Sequence, residues 1–403
     1  MGEQVKQYDV AVVGAGMAGI AAAVQSAREG KKTVLLEKTV LPGGLATTGL
    51  IYIYLPLCDG NGHQLAFGLT EELLRKSIAY GPGDIPDWQK GQNAQEAKRF
   101  RVPFSPASFM LALTEMLREN GVDIWYDTLV TGAEKAEGKV KAVFVENESG
   151  RIEIRAKCFI DASGTGILAR RAGIPGWDKE PNYLSVWALQ YDKRLADSEK
   201  YELAPDLRMN AMGVPWDVSK APEGTVFRGI SGKQVTDFVL KGHNMLLDYY
   251  KRNWQEGKAD RKTLFPVHLP AMPQYRKIFA IKSMRDLQTG ENNLRFEDSI
   301  GLIGDWRKAG PAWEIPYRSL CPADGTGAFL AAGRCIGSLG DAWEVTRVIP
   351  TAALTGQAAG AAASLAIETG TDPCRLDPAK VQERLRRLGF PLHLPEVGLS
   401  YNA

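Results

Sequence analysis

The stretch Tyr8-Asp9-Val10-Ala11-Val12-Val13-Gly14-Ala15-Gly16-Met17-Ala18-Gly19, with its continuation to Thr33-Val34-Leu35-Leu36-Glu37-Lys38, decides the fold. Tyr8 to Val13 is a short apolar, β-branched run of the kind that forms a fully buried parallel strand. It ends in a complete G-x-G-x-x-G. A helical stretch follows from Ile20, with Gly30 placed to end it, and a second strand covers Thr33–Leu36. In such a βαβ unit Gly14 permits the tight turn, Gly16 lets a pyrophosphate come close to the backbone, and Gly19 lets helix and strand pack together. Met17 and Ala18 begin the helix, whose first N–H groups face the phosphates. Glu37, with Lys38 beside it, closes the second strand. A carboxylate there takes both ribose hydroxyls of an adenosine and repels a 2′-phosphate. The unit predicts a dinucleotide site and argues against NADP.

Working outward, Leu41-Pro42-Gly43-Gly44-Leu45-Ala46-Thr47-Thr48-Gly49 is a second glycine-rich turn, suited to backbone running along an extended cofactor. Cys158 to Asp161 is an apolar strand that runs into the small residues Ala162, Ser163 and Gly164. A further strand ends at Gly333-Arg334. After it, Arg347-Val348-Ile349-Pro350-Thr351-Ala352 opens a long alanine-rich helix with Pro350 in its first turn. The positive end of that helix would favour negative charge at a flavin's N1/O2 edge.

Taken together, GAGMAG, Glu37, LPGGLATTG, FIDASGTG, IPYRSL, AAGRC and RVIPTAALTGQAAGAAA resemble the bacterial FAD-dependent oxidoreductase family with the glutathione-reductase-type FAD fold. The resemblance implies non-covalent FAD. Gly14, Gly16 and Gly19 match its phosphate turn, Glu37 its ribose acid, and Gly43 and Gly44 its double glycine. Asp161, Ala162 and Gly164 match its middle strand, and Gly333, Arg334 and the run from Arg347 to Thr351 its flavin end. Val130 stands where the backbone meets the adenine in such folds. Asp341 aligns with the acid that meets the ribityl chain, although its flanking residues depart from the pattern. The middle of the chain carries no second GxGxxG, so the pyridine-nucleotide domain of disulfide reductases is not expected.

The expected class is α/β: a Rossmann-like FAD-binding domain carrying an inserted α+β substrate domain. Residues 1–172 form its first part, 173–322 the insert, where the βα rhythm breaks, and 323–403 its C-terminal part. Within the first part, Pro106–Asn120 predicts an amphipathic helix, Val122–Tyr126 a strand, and Lys139–Val145 with Arg151–Arg155 a hairpin turning at 147–150.

Composition narrows the function further. The chain has 403 residues, 44% apolar and 24% charged, with a net charge of +2. That is ordinary for a globular protein of more than one domain, and it lacks the basic face of a nucleic-acid binder. Five scattered cysteines without a CxxC predict neither a metal site nor a dithiol pair and suit a reducing compartment. No leader and no membrane-spanning run is expected, which makes the cytoplasm the default location.

The expected activity is two-electron (hydride) transfer between FAD and a small polar or anionic organic molecule. The electron partner is open, and so is homo-oligomerisation. Two other readings stand beside it: an RNA-modifying flavoprotein and an NAD enzyme without flavin. For catalysis, Arg318 with Tyr317 in IPYRSL, and Arg347 before the long helix, are expected to converge on the substrate. The bland alternative for Arg347 is an ion pair with Asp341 or Glu344. His63 and His268 are candidate acid/base groups. Arg276, Lys277 and Arg285 are weaker anion-binding candidates in the insert.

Overall fold

The computed structural model describes residues 4–87, 101–195, 207–213, 224 and 226–402. Its frame is one seven-stranded sheet. Strands β1 (Gln4–Val13) and β2 (Thr33–Leu36) are parallel and flank helix α1 (Met17–Arg28). After α2 (Leu69–Ser77) and α3 (Pro106–Glu119), β3 (Asp123–Trp125) adds in parallel beyond β2. The Ser105 side chain caps α3 by accepting from the N–H of Ser108. Next come β4 (Leu129–Ala136), β5 (Lys139–Asn147) and β6 (Gly150–Asp161). The order across the sheet is β3-β2-β1-β6-β5-β4, with the last three strands antiparallel to one another.

β6 is long enough to have two partners on one side. Its first half pairs with β5, turning at Asn147–Gly150 as the sequence predicts, and its last three residues pair in parallel with Phe329–Ala331 of the returning chain. This join is what makes the C-terminal part of the chain continuous with the first. β1 begins earlier than Tyr8 because Gln4 to Tyr8 pair along β6, outside the apolar run that marks its buried half.

α4 (Ile167–Arg171) follows β6. The chain then builds a smaller antiparallel sheet from β7 (Ser185–Asp192), β8 (Leu207–Gly213) and β9 (Leu264–His268), in the order β8-β7-β9. α5 (Gly232–Gln255) covers it with Phe238, Gly242, Leu246 and Tyr250, a stripe at helical spacing. Val186, Ala188, Leu246, Tyr250 and Leu264 form its own small core. The two strands of the hairpin β10 (Ser299–Gly304) and β11 (Ala312–Pro316) are buried and pack on the C-terminal part of the chain, where Gly301 meets Leu354 and Phe390.

After β12 (Phe329–Ala331) come α6 (Gly340–Thr346), α7 (Ile349–Thr369) and α8 (Pro378–Arg387). α7 is buried from Pro350 to Ala366 and lies directly on α1. A Cβ at Gly356 would overlap the carbonyl of Ala18, and one at Gly360 that of Ala22, so the small residues of this helix set the distance between the two. Among the described residues no helix is long and apolar enough to cross a membrane, and no group of side chains could hold a metal ion. All five cysteines are free thiols.

Candidate cofactor and substrate site

One cleft collects the carboxyl ends of β1, β2, β6 and β12 and the start of α7. In a parallel α/β sheet this is where ligands bind. Gly14, Gly16, Met17 and Ala18 form its floor, Glu37, Lys38 and Thr39 one end, and Gly43 to Ala46 a flank. Ala162, Ser163 and Gly164 lie opposite. Met272, Gly333, Arg334, Arg347, Ile349 and Ala352 form the other end.

The floor is built of close backbone approaches. A Cβ on Gly14 would come within 2.7 Å of Ser163 Cα, and one on Gly19 would overlap the carbonyl oxygen of Gly14. Gly19 therefore acts in packing and does not line the cleft. Gly16 differs: a Cβ there would meet no protein atom within 4 Å and would project into the cleft, where a pyrophosphate would lie.

Glu37 is buried and pre-positioned. One carboxylate oxygen accepts from the N–H of Ala15 at 2.8 Å, the other from the N–H and hydroxyl of Thr39 at 2.9 and 3.0 Å. The N–H of Thr128 donates to the Glu37 carbonyl. Val130 is buried on β4, paired with Val145, and its side chain is not part of the lining.

Several predicted residues support the cleft from behind. Thr47 is buried and donates to the Pro42 carbonyl at 2.6 Å, which fixes the glycine turn. Asp161 is buried and accepts from the N–H and hydroxyl of Ser163 and from the N–H of Ala169. Burial pushes its carboxyl above the usual range, against those hydrogen bonds. Pro350 and Thr351 sit in the first turn of α7, with the Thr351 hydroxyl on the Val345 carbonyl. Their neighbours Ile349 and Ala352 reach the cleft instead.

The stretch of residues 271–277 runs along the cleft and reaches into it through Met272. The N–H of Ala271 donates to the Thr48 carbonyl, and the Gln274 amide donates to the Gly49 carbonyl. At the far end Arg334 donates to the carbonyls of Tyr275 at 2.6 Å and Arg276 at 3.3 Å. Burial brings the Arg334 guanidinium down to about 10, so it stays charged at neutral pH.

Arg347 reaches the same end of the cleft, paired with Glu344 at 2.5 Å. Burial would raise the Glu344 carboxyl, but Arg347 and Lys277 together bring it down to about 2. The pairing is the Glu344 alternative foreseen for Arg347, and it leaves that arginine on the cleft wall.

The other expected convergence is absent. Arg318 is held by Asp298 at 2.9 and 3.1 Å and lines no part of the cleft. Tyr317 is buried with its hydroxyl on the Pro373 carbonyl. Asp341 is claimed by Arg307 and does not reach the cleft. His63 pairs with Asp59 at 2.9 Å on a separate loop, and His268 is exposed at the end of β9. Each is corrected for one reason: its partner or its place in the fold lies elsewhere. Thr39 and Met272 were not foreseen, and Ile349 only as part of the run from Arg347 to Thr351. Of these, Thr39 had a local signal, a short polar side chain two residues past Glu37.

The model of a family described as FAD dependent oxidoreductase matches residues 9–222 and 285–385. The chain belongs to the FAD-dependent oxidoreductase family. FAD is thus the cofactor, and the reading as an NAD enzyme without flavin falls. Protein FixC of Bradyrhizobium diazoefficiens is 26% identical over 243 residues, 56% of this chain and 51% of that protein. Digeranylgeranylglycerophospholipid reductase of Thermoplasma volcanium is 27% identical over 198 residues, 46% of each. The chain therefore spans about half the length of these curated relatives. A solved geranylgeranyl bacteriochlorophyll reductase-like protein of Thermoplasma acidophilum shares the fold, with a TM-score of 0.51 at 16% identity over 95% of this chain and 83% of that one. The floor at Gly16, which a Cβ would enter, and the buried Glu37 carboxylate held at one end fit an FAD cofactor.

Proposed function

We propose that this chain binds FAD non-covalently and uses it for two-electron exchange with a small polar or anionic organic molecule at the Arg334–Arg347 end of the cleft. Bound FAD supplies the electron transfer. Glu37 would hold the adenosine ribose, and the turn from Gly14 to Ala18 the pyrophosphate. The 271–277 strip would keep water from the reacting end. The observation that carries this reading is the placement of Arg334 and Arg347 on the cleft wall beside the start of α7. Two fixed cations there favour an anionic substrate and orient it.

The test uses purified protein under nitrogen. Acid precipitation should release FAD, and a panel of small carboxylates, alcohols and amines should contain compounds that bleach the flavin absorbance. Arg347→Gln should keep its FAD and lose most of that bleaching, at least tenfold in rate. Protein that takes up no FAD, or bleaching indifferent to Arg347→Gln, overturns the proposal.

A further inference from the structure

The Arg334–Arg347 end of the cleft is chemically two-sided. The two arginines bring charge to it, while Met272, Ile349 and Ala352 line it with carbon and sulfur alone. Met272 also walls a second space, a recess of about 20 Å³ where α5, β7 and the 271–277 strip meet. That volume holds about one water molecule. Most of its other walls are apolar: Val186, Phe238, Val239, Pro270 and Pro273. The Met272 side chain thus stands between the cleft and the recess.

The backbone that carries this side chain is fixed. Pro270 and Pro273 flank it with locked φ angles. The N–H of Ala271 donates to the Thr48 carbonyl at 2.8 Å. The Gln274 amide nitrogen donates to the Gly49 carbonyl at 2.5 Å, and its oxygen accepts the Trp187 N–H at 2.8 Å. The Met272 side chain is held far less. Its sulfur lies 3.2 Å from the Thr48 hydroxyl, whose single proton has a nearer acceptor in the Gly44 carbonyl at 2.9 Å. A thioether is a weak acceptor on a chain with three rotatable bonds, so the side chain can turn where the backbone cannot.

This lining decides what fits. A carboxylate is matched by an arginine at one end of the bound molecule. A second charge at the other end would lose its water against Met272 and Ile349 and find no partner there, which is costly. An apolar tail is accepted until its length meets Met272.

We propose that Met272 selects the substrate: it admits an acid with a carboxylate at one end and a short apolar tail at the other, rejects a dicarboxylate, and keeps a longer tail out of the recess behind it. The proposal rests on the redox reading of the cleft and narrows its small polar or anionic substrate to a short-chain monocarboxylic acid.

The test is calorimetric titration of the FAD-loaded protein with butyrate, succinate and octanoate, after flavin absorbance has been verified. Butyrate and succinate have equal carbon chains and differ in the second carboxylate, and butyrate should bind at least tenfold more tightly. Octanoate adds methylenes that are worth about fourfold each in affinity when buried, yet it should bind wild type no more tightly than butyrate does. In Met272→Ala it should bind at least tenfold more tightly than butyrate. Val239→Phe narrows the recess without touching the cleft, and in the Met272→Ala background it should remove that gain. Should Met272→Ala fail to fold, Met272→Val carries the same comparison, with an expected gain of at least threefold. Protein without flavin fails the cofactor reading, and carboxylate binding indifferent to Arg347→Gln fails the placement of the anion; either removes the ground of this proposal. In yellow protein whose butyrate binding needs Arg347, three results overturn the role of Met272 alone: succinate bound as tightly as butyrate, octanoate already favoured by wild type, or no gain for octanoate in the Met272 variant.

Discussion

The turn after β1 and the strip 271–277 face each other across one cleft, yet they were not equally readable. The turn is local: strand, glycines, helix and acid follow within one βαβ unit, and each residue type is dictated by backbone conformation or close approach. The strip has no regular secondary structure over most of its length. It is placed by Thr48, Gly49, Asn182 and Arg334, which are distant in sequence. Cofactor binding is encoded where the chain must bend in a particular way. The opposite wall is encoded in which distant segments meet.

The comparison breaks first, and hardest, at Gly19. Its missing side chain is what lets α1 sit against the Gly14 carbonyl. Gly19→Val must push the helix off the strand, at a cost of about 3 kcal/mol or more. The expected result is a large drop in the urea midpoint together with loss of FAD. An unchanged midpoint would show that the turn tolerates what its packing forbids.

A smaller effect is expected where turn and strip are joined electrostatically. Glu344 on α6 faces both Arg347 and Lys277, and so ties the strip to the cofactor domain. Its carboxyl lies at about 2 in the folded protein against 4.5 ordinarily. The sign follows from that depression: the group stabilises the fold fully above about pH 4.5, and the contribution fades as pH falls toward 2. After allowance for its partial exposure, this amounts to roughly 1–3 kcal/mol at neutral pH. Denaturant titrations of wild type and Glu344→Gln should therefore differ at pH 7 and converge in acid. A difference that is undiminished at pH 2, or that grows in acid, would place the stabilisation elsewhere.

The sequence reading succeeded where spacing carries the information. The parallel strands, the α1 turn, the β5–β6 hairpin and α7 all follow from periodicity and turn residues. Ala162, Ser163, Gly164 and Gly333 were legible because small residues at a strand's carboxyl end leave room for a ligand, and Arg334 through the resemblance to the family's flavin end. The electrostatic partners were not. Nothing near Arg318 in sequence announces Asp298, and Asp341 lies close to Arg347 in the chain yet pairs with Arg307. Trp313-Glu314 is core: Trp313 is buried, and Glu314 accepts from Tyr401 and faces His393.

The smallest effect should come from Arg318, the arginine that position alone made attractive. Its side chain is 49% exposed, and its charge is spent on Asp298. Removing it does not strand that carboxylate, because the backbone N–H of Arg318 still donates to Asp298 at 2.9 Å. An exposed pair of this kind is worth about 1 kcal/mol or less. Arg318→Gln should therefore keep its FAD, bleach with substrate as wild type does, and lose little in thermal unfolding. Arg347→Gln is the matched control, because that arginine lies on the cleft wall. If Arg318→Gln instead lost substrate-driven bleaching while keeping its flavin, two arginines would have to converge after all. The Tyr317–Leu320 turn would then have to leave Asp298 and move far enough to bring Arg318 to the cleft, and the substrate end of the cleft would no longer be set by the 271–277 strip alone.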